Sequence, residues 1–371
     1  MQLRYRQQAA AAGVSVAALA LVLGACSSSS SSSPASGGSG SAAAGGGSSS
    51  GSSSNLSGTL NASGSSFQLT FQQAAISAFK STQPGMTVNY GGGGSGKGRT
   101  DLAGGTVNFA GSDSPIPAKE EPGFQGKTVL YFPVIVGPIT MSYNLPGVSN
   151  LKLDPTVIAN IFQGKIKTWN DPAIKADNAG VNLPSTPITL AVRQDSSGTT
   201  QNFTLFIQEA AGRAWTLGSD STIKWPSTAR AGDGNGGVAQ IVKSTPGAIG
   251  YVDYTDAKAS NLSMASVKNK DGSFVAPSPD SASASAAGVT VKPDLTFAAV
   301  WGTGANAYPI TYQSWDLVYA RQPSANDAAM LKAYLGYLLG DGQKLLSQLG
   351  YAPLPSNIDQ QAVAQLSKIT S

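Results

Sequence analysis

Residues 193–200 read Arg-Gln-Asp-Ser-Ser-Gly-Thr-Thr and join a β-forming run at 188–192 to a helical pattern at 199–211. The first N–H groups of a helix have no intrahelical partner and carry partial positive charge, so they attract anions. Arginine adds a rigid two-pronged donor, and serine and threonine hydroxyls add further donors. The stretch therefore predicts a strand–loop–helix unit that holds a small tetrahedral oxyanion.

Working outward from this unit, short β-forming runs alternate with helical ones, which is typical of an α/β fold. The runs with helical spacing of apolar residues are 67–79, 155–162, 199–211 and 325–339. The β-forming runs are 86–90, 107–113, 129–136, 139–143, 188–192 and 247–252. A Ser/Ala-rich stretch at 277–287 is interpreted as a surface loop. The body is long enough for two lobes, with a crossover expected at Gly137-Pro138.

Residues 1–25 are predicted to be a secretory signal peptide, because a basic start with Arg4 and Arg6 precedes a short apolar run at 9–23. The small residues directly before Cys26 resemble the lipobox of bacterial lipoproteins, and that resemblance implies that Cys26 becomes lipidated. The alternative is an ordinary signal peptide with an incidental cysteine. Cys26 is the only cysteine, so no intrachain disulfide can form.

Residues 26–58 follow as a tether made almost entirely of Ser, Gly and Ala. Such a segment cannot bury enough apolar surface to offset its ordering entropy, so we expect a flexible spacer. Beyond it, no apolar run approaches the ~20 residues that a transmembrane helix needs. We therefore expect an exported body, lipid-anchored to the cell membrane, in the periplasm or on the outer face of the cytoplasmic membrane.

Charge and composition exclude several classes of function. The formal net charge of +4 is small and scattered, and no basic stripe of the kind that grips nucleic acid is present. The sequence contains no histidine, which excludes histidine-dependent serine or cysteine catalysis and the usual histidine-containing zinc sites. We expect no cofactor and no metal.

Three further places repeat the chemistry of the opening stretch. Ser65, Ser66 and Phe67 lie at the expected start of the first helix, Ser95 lies in a glycine-rich run, and Asp113 ends a β-forming run. Taken singly, each has a structural explanation: a serine before a helix is usually its cap, and an aspartate in a turn is usually turn chemistry. Their joint occurrence at strand-to-helix junctions favours a binding site.

The glycine-rich run at 91–98, Gly-Gly-Gly-Gly-Ser-Gly-Lys-Gly, also matches the first seven positions of a P-loop. However, Gly98 stands where a P-loop needs Ser or Thr to hold magnesium. An exported body also meets little ATP, so nucleotide hydrolysis is not expected. The run still offers backbone N–H donors to phosphate oxygens.

Several segments, in order over about 62–356, resemble the extracytoplasmic phosphate-binding lipoprotein of the bacterial high-affinity phosphate ABC importer. The resemblance implies an α/β, two-lobed periplasmic-binding-protein fold of type II, with the ligand in the inter-lobe cleft. It places lobe I at 59–137 and 308–371 and lobe II at 138–307. The matching segments are Gly64-Ser-Ser-Phe67, Tyr90-Gly-Gly-Gly-Gly-Ser-Gly96, Phe109-Ala-Gly-Ser-Asp113-Ser-Pro115, Ile161-Phe-Gln-Gly-Lys165 with Trp169-Asn170, Arg193 to Thr199, Pro246-Gly-Ala-Ile-Gly-Tyr251 and Pro353-Leu-Pro355.

Carried over residue by residue, the resemblance implies one set of phosphate ligands. Asp195 would orient Arg193, although the two residues are also open to interpretation as a plain salt bridge. Ser66 stands where threonine is common in the family, and this change keeps the hydroxyl. The implied ligands are Ser66, Phe67, Ser95, Asp113, Arg193, Ser197, Gly198 and Thr199.

The function implied is binding of inorganic phosphate and its delivery to a membrane ABC permease, without catalysis. We expect Asp113, as a carboxylate, to accept the proton that phosphate retains near neutral pH and to repel fully deprotonated sulfate. One rival is an exported phosphatase with Ser197 or Ser66 as nucleophile, which lacks a recognisable base. The second rival is a surface adhesin or a phosphate sensor without a transport role. The sequence does not distinguish this rival from a transporter component.

Overall fold

The structure, a computed structural model, describes residues 56–371. The predicted signal peptide, Cys26 and nearly all of the predicted tether lie outside the described residues. The strands are β1 (Gly58–Gly64), β2 (Met86–Gly93), β3 (Phe109–Ser112), β4 (Val129–Tyr143), β5 (Lys152–Leu153), β6 (Thr189–Arg193), β7 (Arg230–Gly232), β8 (Ala248–Asp253), β9 (Ser263–Lys268), β10 (Phe274–Val275) and β11 (Thr311–Tyr319). The helices are α1 (Leu69–Thr82), α2 (Ser95–Ala103), α3 (Pro155–Phe162), α4 (Pro172–Asp177), α5 (Gly198–Ala211), α6 (Gly234–Ser244), α7 (Tyr254–Ala259), α8 (Pro279–Ala286), α9 (Ala325–Leu339), α10 (Leu346–Leu349) and α11 (Ser356–Gln365).

One long strand, β4, organises the mixed sheet, whose main order is β2-β1-β3-β11-β4-β8-β6-β7. Residues 129–138 of β4 pair antiparallel with β11, and residues 139–143 pair antiparallel with β8. Strand β9 also pairs with the end of β4 and carries β10 and β5. We call β1, β2, β3, β11 and residues 129–138 the first half, and β5–β10 with residues 139–143 the second half. A helix or loop that joins two strands of one half is counted with that half.

Strand β4 is buried along nearly its whole length, because helices and loops cover both of its faces. Val134, Ile135 and Val136 are fully buried, as expected for a continuous apolar run in a central strand. The sequence predicted two runs separated by Gly137-Pro138, but the strand continues through them. A Cβ on Gly137 would lie 2.9 Å from the Phe67 ring, so glycine leaves room for that ring.

The parallel strands place loop residues of interest together. β1 pairs parallel with both β2 and β3, and β6 pairs parallel with β7 and β8. The carboxyl ends of parallel strands meet at one edge of a sheet, which is where α/β proteins bind ligands. Ser65 follows β1, Asp113 follows β3 and Arg193 ends β6. The fold therefore brings these three positions to the sheet edges where the two halves face each other.

The helices predicted at 155–162 and 325–339 are confirmed with the same bounds. The surface-loop interpretation of 277–287 is wrong, because residues 279–286 form α8, with Ser281, Ala282, Ser285 and Ala286 buried. A capping box between Ser278 and Ser281 starts this helix, and its small side chains let it pack closely. The lobe boundaries at 137/138 and 307/308 stay a prediction. Among the described helices, none combines the length and apolarity that a membrane crossing requires.

Candidate anion-binding site

Asp113 is the centre of the candidate site and is 1% exposed. Its Oδ1 accepts hydrogen bonds from the hydroxyls of Ser65 and Ser314, both at 2.5 Å. Its Oδ2 accepts a longer one, at 3.3 Å, from the hydroxyl of Ser95 at the start of α2. Three serines, one directly after β1, one in β11 and one in α2, therefore hold one buried carboxylate.

The environment of Asp113 acts on its charge in two directions. Burial raises the pKa of the Asp113 carboxyl, because a low-dielectric surrounding disfavours the charged form. The hydroxyls of Ser314, Ser65 and Ser95 and the charge of Arg193 oppose that rise by favouring the carboxylate. The serines thus help to keep an ionised acceptor in a site from which water is largely excluded.

The N-terminus of α5 forms the opposite wall. Ser197 caps this helix, its hydroxyl accepting a hydrogen bond from the Thr200 N–H at 3.1 Å. The N–H groups of Gly198 and Thr199 belong to the first turn, where a helix offers no internal acceptor. Ser197, Gly198 and Thr199 are all buried. This wall presents N–H donors and the positive end of the helix dipole.

Arg193 lies beside that wall and is held by Asp195. Its Nε donates to Asp195 Oδ1 at 2.8 Å, and one Nη pairs with the other carboxylate oxygen. Its second Nη donates to Thr199 Oγ1 at 3.2 Å. A guanidinium has five N–H donors, so about two remain on the edge that faces away from Asp195. Asp195 therefore fixes the plane of the guanidinium.

The two walls are in direct contact. A Cβ on Gly198 would lie 2.6 Å from the Asp113 Cβ and 2.8 Å from its Oδ2. The N–H of Gly96 in α2 donates to the carbonyl of Ser196 at 3.0 Å. Asp113 Oδ2 therefore faces the start of α5, and the two halves of the sheet meet at the candidate site.

Ser66 and Phe67 were expected at the start of the first helix but lie in the turn before it, where each contacts other protein groups. Ser66 Oγ accepts from the Asn235 side chain at 3.2 Å, and the same amide donates to Thr199 Oγ1 at 3.4 Å. The Phe67 N–H donates to Ser65 Oγ at 3.1 Å, while its ring stacks on Tyr312 with centroids 4.0 Å apart. Helix α1 begins only at Leu69, so these residues form the turn before it.

Four residues at this site were not among the predicted ligands. Ser65 was within reach of the sequence analysis, since it belongs to the same Gly-Ser-Ser-Phe segment. The other three gave no signal in the sequence, because each contacts a predicted ligand of the first half that lies far away along the chain. The four are Ser65, Ser314, Asn202 and Asn235. Within residues 56–371, no group of three or more His, Cys, Asp or Glu side chains is arranged to hold a metal ion.

Comparison with known proteins agrees with this architecture. A family model described as a PBP superfamily domain matches residues 46–341. Phosphate-binding protein PstS 3 of Mycobacterium leprae is 35% identical over 309 residues, covering 81% of this chain and 84% of the relative.

Two solved structures share the fold at low sequence identity. One is a high-affinity periplasmic phosphate-binding protein bound with phosphate, with a TM-score of 0.69 and 20% identity, covering 83% of this chain and 94% of that one. The other is a putative phosphate ABC transporter substrate-binding protein with bound phosphate from Clostridium perfringens. It has a TM-score of 0.59 and 16% identity, covering 80% of this chain and 100% of that one. The two-lobed type II binding-protein fold is thus the fold of this chain, which belongs to the PBP superfamily and, within it, to the PstS phosphate-binding proteins.

Proposed function

We propose that this protein binds inorganic phosphate outside the cytoplasmic membrane and delivers it to an ABC-type phosphate permease. The observation that carries the proposal is the meeting of Asp113 Oδ2 with the N-terminus of α5, with Arg193 beside it. A carboxylate acceptor opposite N–H donors and a guanidinium suits a tetrahedral anion that still carries a proton. The family is one of binding proteins, and the chain is not an enzyme.

The ligand set that we propose is the one implied by the resemblance. Ser66 and Ser95 donate from the first half, and Arg193 and the start of α5 donate from the second. The single acceptor is Asp113. Although Ser65 Oγ takes the Phe67 N–H in this structure, we retain Phe67 as a ligand, since a bound anion competes for the same donor. The full set is Ser66, Phe67, Ser95, Asp113, Arg193, Ser197, Gly198 and Thr199.

Selectivity for phosphate over sulfate follows from Asp113. Each carboxylate oxygen accepts about two hydrogen bonds. Oδ1 already accepts two from Ser65 and Ser314, whereas Oδ2 accepts only the long one from Ser95. We infer that Oδ2 accepts the phosphate proton, and that sulfate, which has none, meets an unpaired negative charge that is buried from water.

Transport follows from the position of the ligands on both halves of the sheet. Ser66, Ser95 and Asp113 belong to the first half, while Arg193 and α5 belong to the second. A single ion reaches all of them only when the halves close, so phosphate stabilises the closed form through its differential affinity. The permease would recognise that form. We propose that the halves correspond to lobes divided near residues 137/138 and 307/308.

The cellular location is part of the proposal. A relative in fold is named as periplasmic, and residues 1–25 have the pattern of a signal peptide. We propose that Cys26 carries the lipid anchor and that the segment at 26–58 holds the body clear of the membrane. Mass spectrometry of the mature N-terminus tests the anchor, which an unmodified Cys26 would contradict.

Isothermal titration calorimetry tests the binding proposal, with phosphate as ligand and sulfate and arsenate as competitors. We expect tight phosphate binding, competition by arsenate, and sulfate weaker by several powers of ten. Asp113→Asn should reduce the preference for phosphate over sulfate, because a neutral amide no longer repels sulfate. Asp341→Asn, at an exposed ion pair with Lys344, is the matched control. Unchanged selectivity in Asp113→Asn would refute the role of this carboxylate.

A further inference from the structure

Asn202 joins the two walls of the candidate site from behind. Its side-chain Nδ2 donates to the Asp113 carbonyl at 2.6 Å and to the Gly198 carbonyl at 2.9 Å. An amide NH2 has two N–H donors, so both are used. The bond to Gly198 lies within α5, whereas the bond to Asp113 crosses to the first half of the sheet. Asn202 is 4% exposed, so water does not readily replace either bond.

Gln313 of β11 fixes the orientation of the Asn202 amide. Its Nε2 donates to Asn202 Oδ1 and to the Asp113 carbonyl, both at 3.3 Å, and its Oε1 accepts from the Ala299 N–H at 2.9 Å. Carbonyl oxygens accept only, so the Asn202 nitrogen must face Asp113 and Gly198. Gln313 and Asn202 thus converge on one backbone oxygen, that of the residue whose side chain is the proposed selective acceptor.

The pair also separates the site from a neighbouring cavity. A cavity of about 610 Å³ is lined by Asn202, Gln313 and Ser114 together with residues of the segment 288–303. Shortening the Asn202 side chain would extend this cavity towards the Asp113 backbone. The Asp113 carbonyl would then accept a hydrogen bond from water in place of the one from Asn202 Nδ2.

We propose that Asn202 is a positioning residue that stabilises the closed form by binding the Asp113 carbonyl across the two halves. This inference rests on the proposed function, because the closed form is the one that holds phosphate. The cross-half bond breaks when the halves separate, while the bond to Gly198 persists in either form. The bond to Asp113 therefore acts on phosphate release, whereas the bond to Gly198 acts on the stability of α5.

Asn202→Ala tests this with inorganic phosphate as the probe. Losing a buried hydrogen bond should raise the rate of phosphate release about tenfold and leave the association rate unchanged, since the bond forms after the anion has entered. Stopped-flow fluorescence gives both rates. Thermal unfolding should show a smaller phosphate-induced increase of the midpoint than in the wild-type protein, while the lost bond to Gly198 lowers the midpoint without phosphate.

Asn178→Ala is a matched control, because Asn178 Nδ2 also donates to two carbonyls, one of them four residues earlier in α4, the helix that Asn178 caps at its C-terminus. Both of its acceptors, Lys152 and Ile174, lie in the second half. Asn178→Ala should lower the unfolding midpoint equally with and without phosphate and should not change release. If Asn202→Ala fails to fold, Asn202→Asp keeps the size of the side chain and replaces its donors with a carboxylate, and release should accelerate further.

An unchanged rate of phosphate release in the Asn202 variants would overturn the inference. The proposed function would still stand if the wild-type protein binds phosphate. An equal decrease in the unfolding midpoint of the Asn202 variants with and without phosphate would also overturn it, since that result indicates an ordinary structural role. If the wild-type protein binds no phosphate, the proposed function and this inference both fail.

Discussion

Gly198 at the start of α5 faces Asp113 at the end of β3 so closely that no side chain fits between them. A Cβ on Gly198 would lie 2.6 Å from the Asp113 Cβ. Glycine therefore allows the donor wall and the acceptor wall to approach one ion from opposite sides. The residues come from different halves of the sheet, so this approach exists only when the halves are together.

Gly198→Ala should weaken phosphate binding roughly 10- to 100-fold, because the added methyl group must push Asp113 and α5 apart. Stability without phosphate should not fall, since alanine is the better helix former. Calorimetry and thermal unfolding measure the two effects. Gly288→Ala is the control, because a Cβ there meets open space. Wild-type affinity in Gly198→Ala would contradict the close approach.

Arg193→Lys should weaken phosphate binding by about 10- to 150-fold, because each lost hydrogen bond to a charged group contributes ~1.5–3 kcal/mol. Lysine keeps the charge but lacks the guanidinium, which pairs with Asp195 through two N–H groups and still has N–H donors for the ligand. Calorimetry measures the change. Arg230→Lys is the control, at an exposed arginine hydrogen-bonded to Thr245. A loss below about threefold in Arg193→Lys would mean that charge alone suffices.

Ser65→Ala should move the acid limit of phosphate binding to higher pH. The Ser65 hydroxyl favours the charged form of Asp113, so its removal should raise the pKa of that carboxyl further. The protonated carboxyl no longer accepts the phosphate proton. Phosphate affinity measured as a function of pH gives the midpoint for each protein.

Ser66→Ala provides the comparison for Ser65→Ala. Its hydroxyl contacts Asn235 and not Asp113, so affinity should fall without a shift in the midpoint. The expectation for Ser65 fails if both variants keep the wild-type pH profile.

Asp316 gives a prediction for stability. This fully buried carboxyl accepts hydrogen bonds from Gln72, and burial raises its pKa to about 7. A folded-state pKa above the unfolded value of about 4 means that folding favours the protonated form. The stabilising contribution is therefore full below about pH 4 and is lost as the pH rises to about 7.

Asp316→Asn should remove that dependence, with a difference from wild type that changes by up to about 4 kcal/mol between pH 4 and pH 8. Urea unfolding at several pH values measures it. The control is Asp280→Asn, at an exposed position of α8. A pH-independent difference for Asp316→Asn would show that the carboxyl ionises in the fold without cost.

Local signals in the sequence explain which elements could be predicted. α3 begins with an Asp154 cap and Pro155 and shows clear helical spacing, so its bounds were read correctly. α2 was missed, because its glycines oppose helix formation in isolation. In the fold they serve packing, since a Cβ on Gly98 would lie 2.7 Å from the Gly64 Cα of β1.

The sequence by itself determined the unit at 193–200, because strand, cap, arginine and helix start are neighbours along the chain and need no distant partner. It also supplied Asp113 as a candidate acceptor. Only the tertiary structure decided what surrounds that carboxyl. Ser65 lies 48 residues from Asp113 and Ser314 lies 201 residues away. Such contacts are set by the order of strands around β4, which no local propensity encodes.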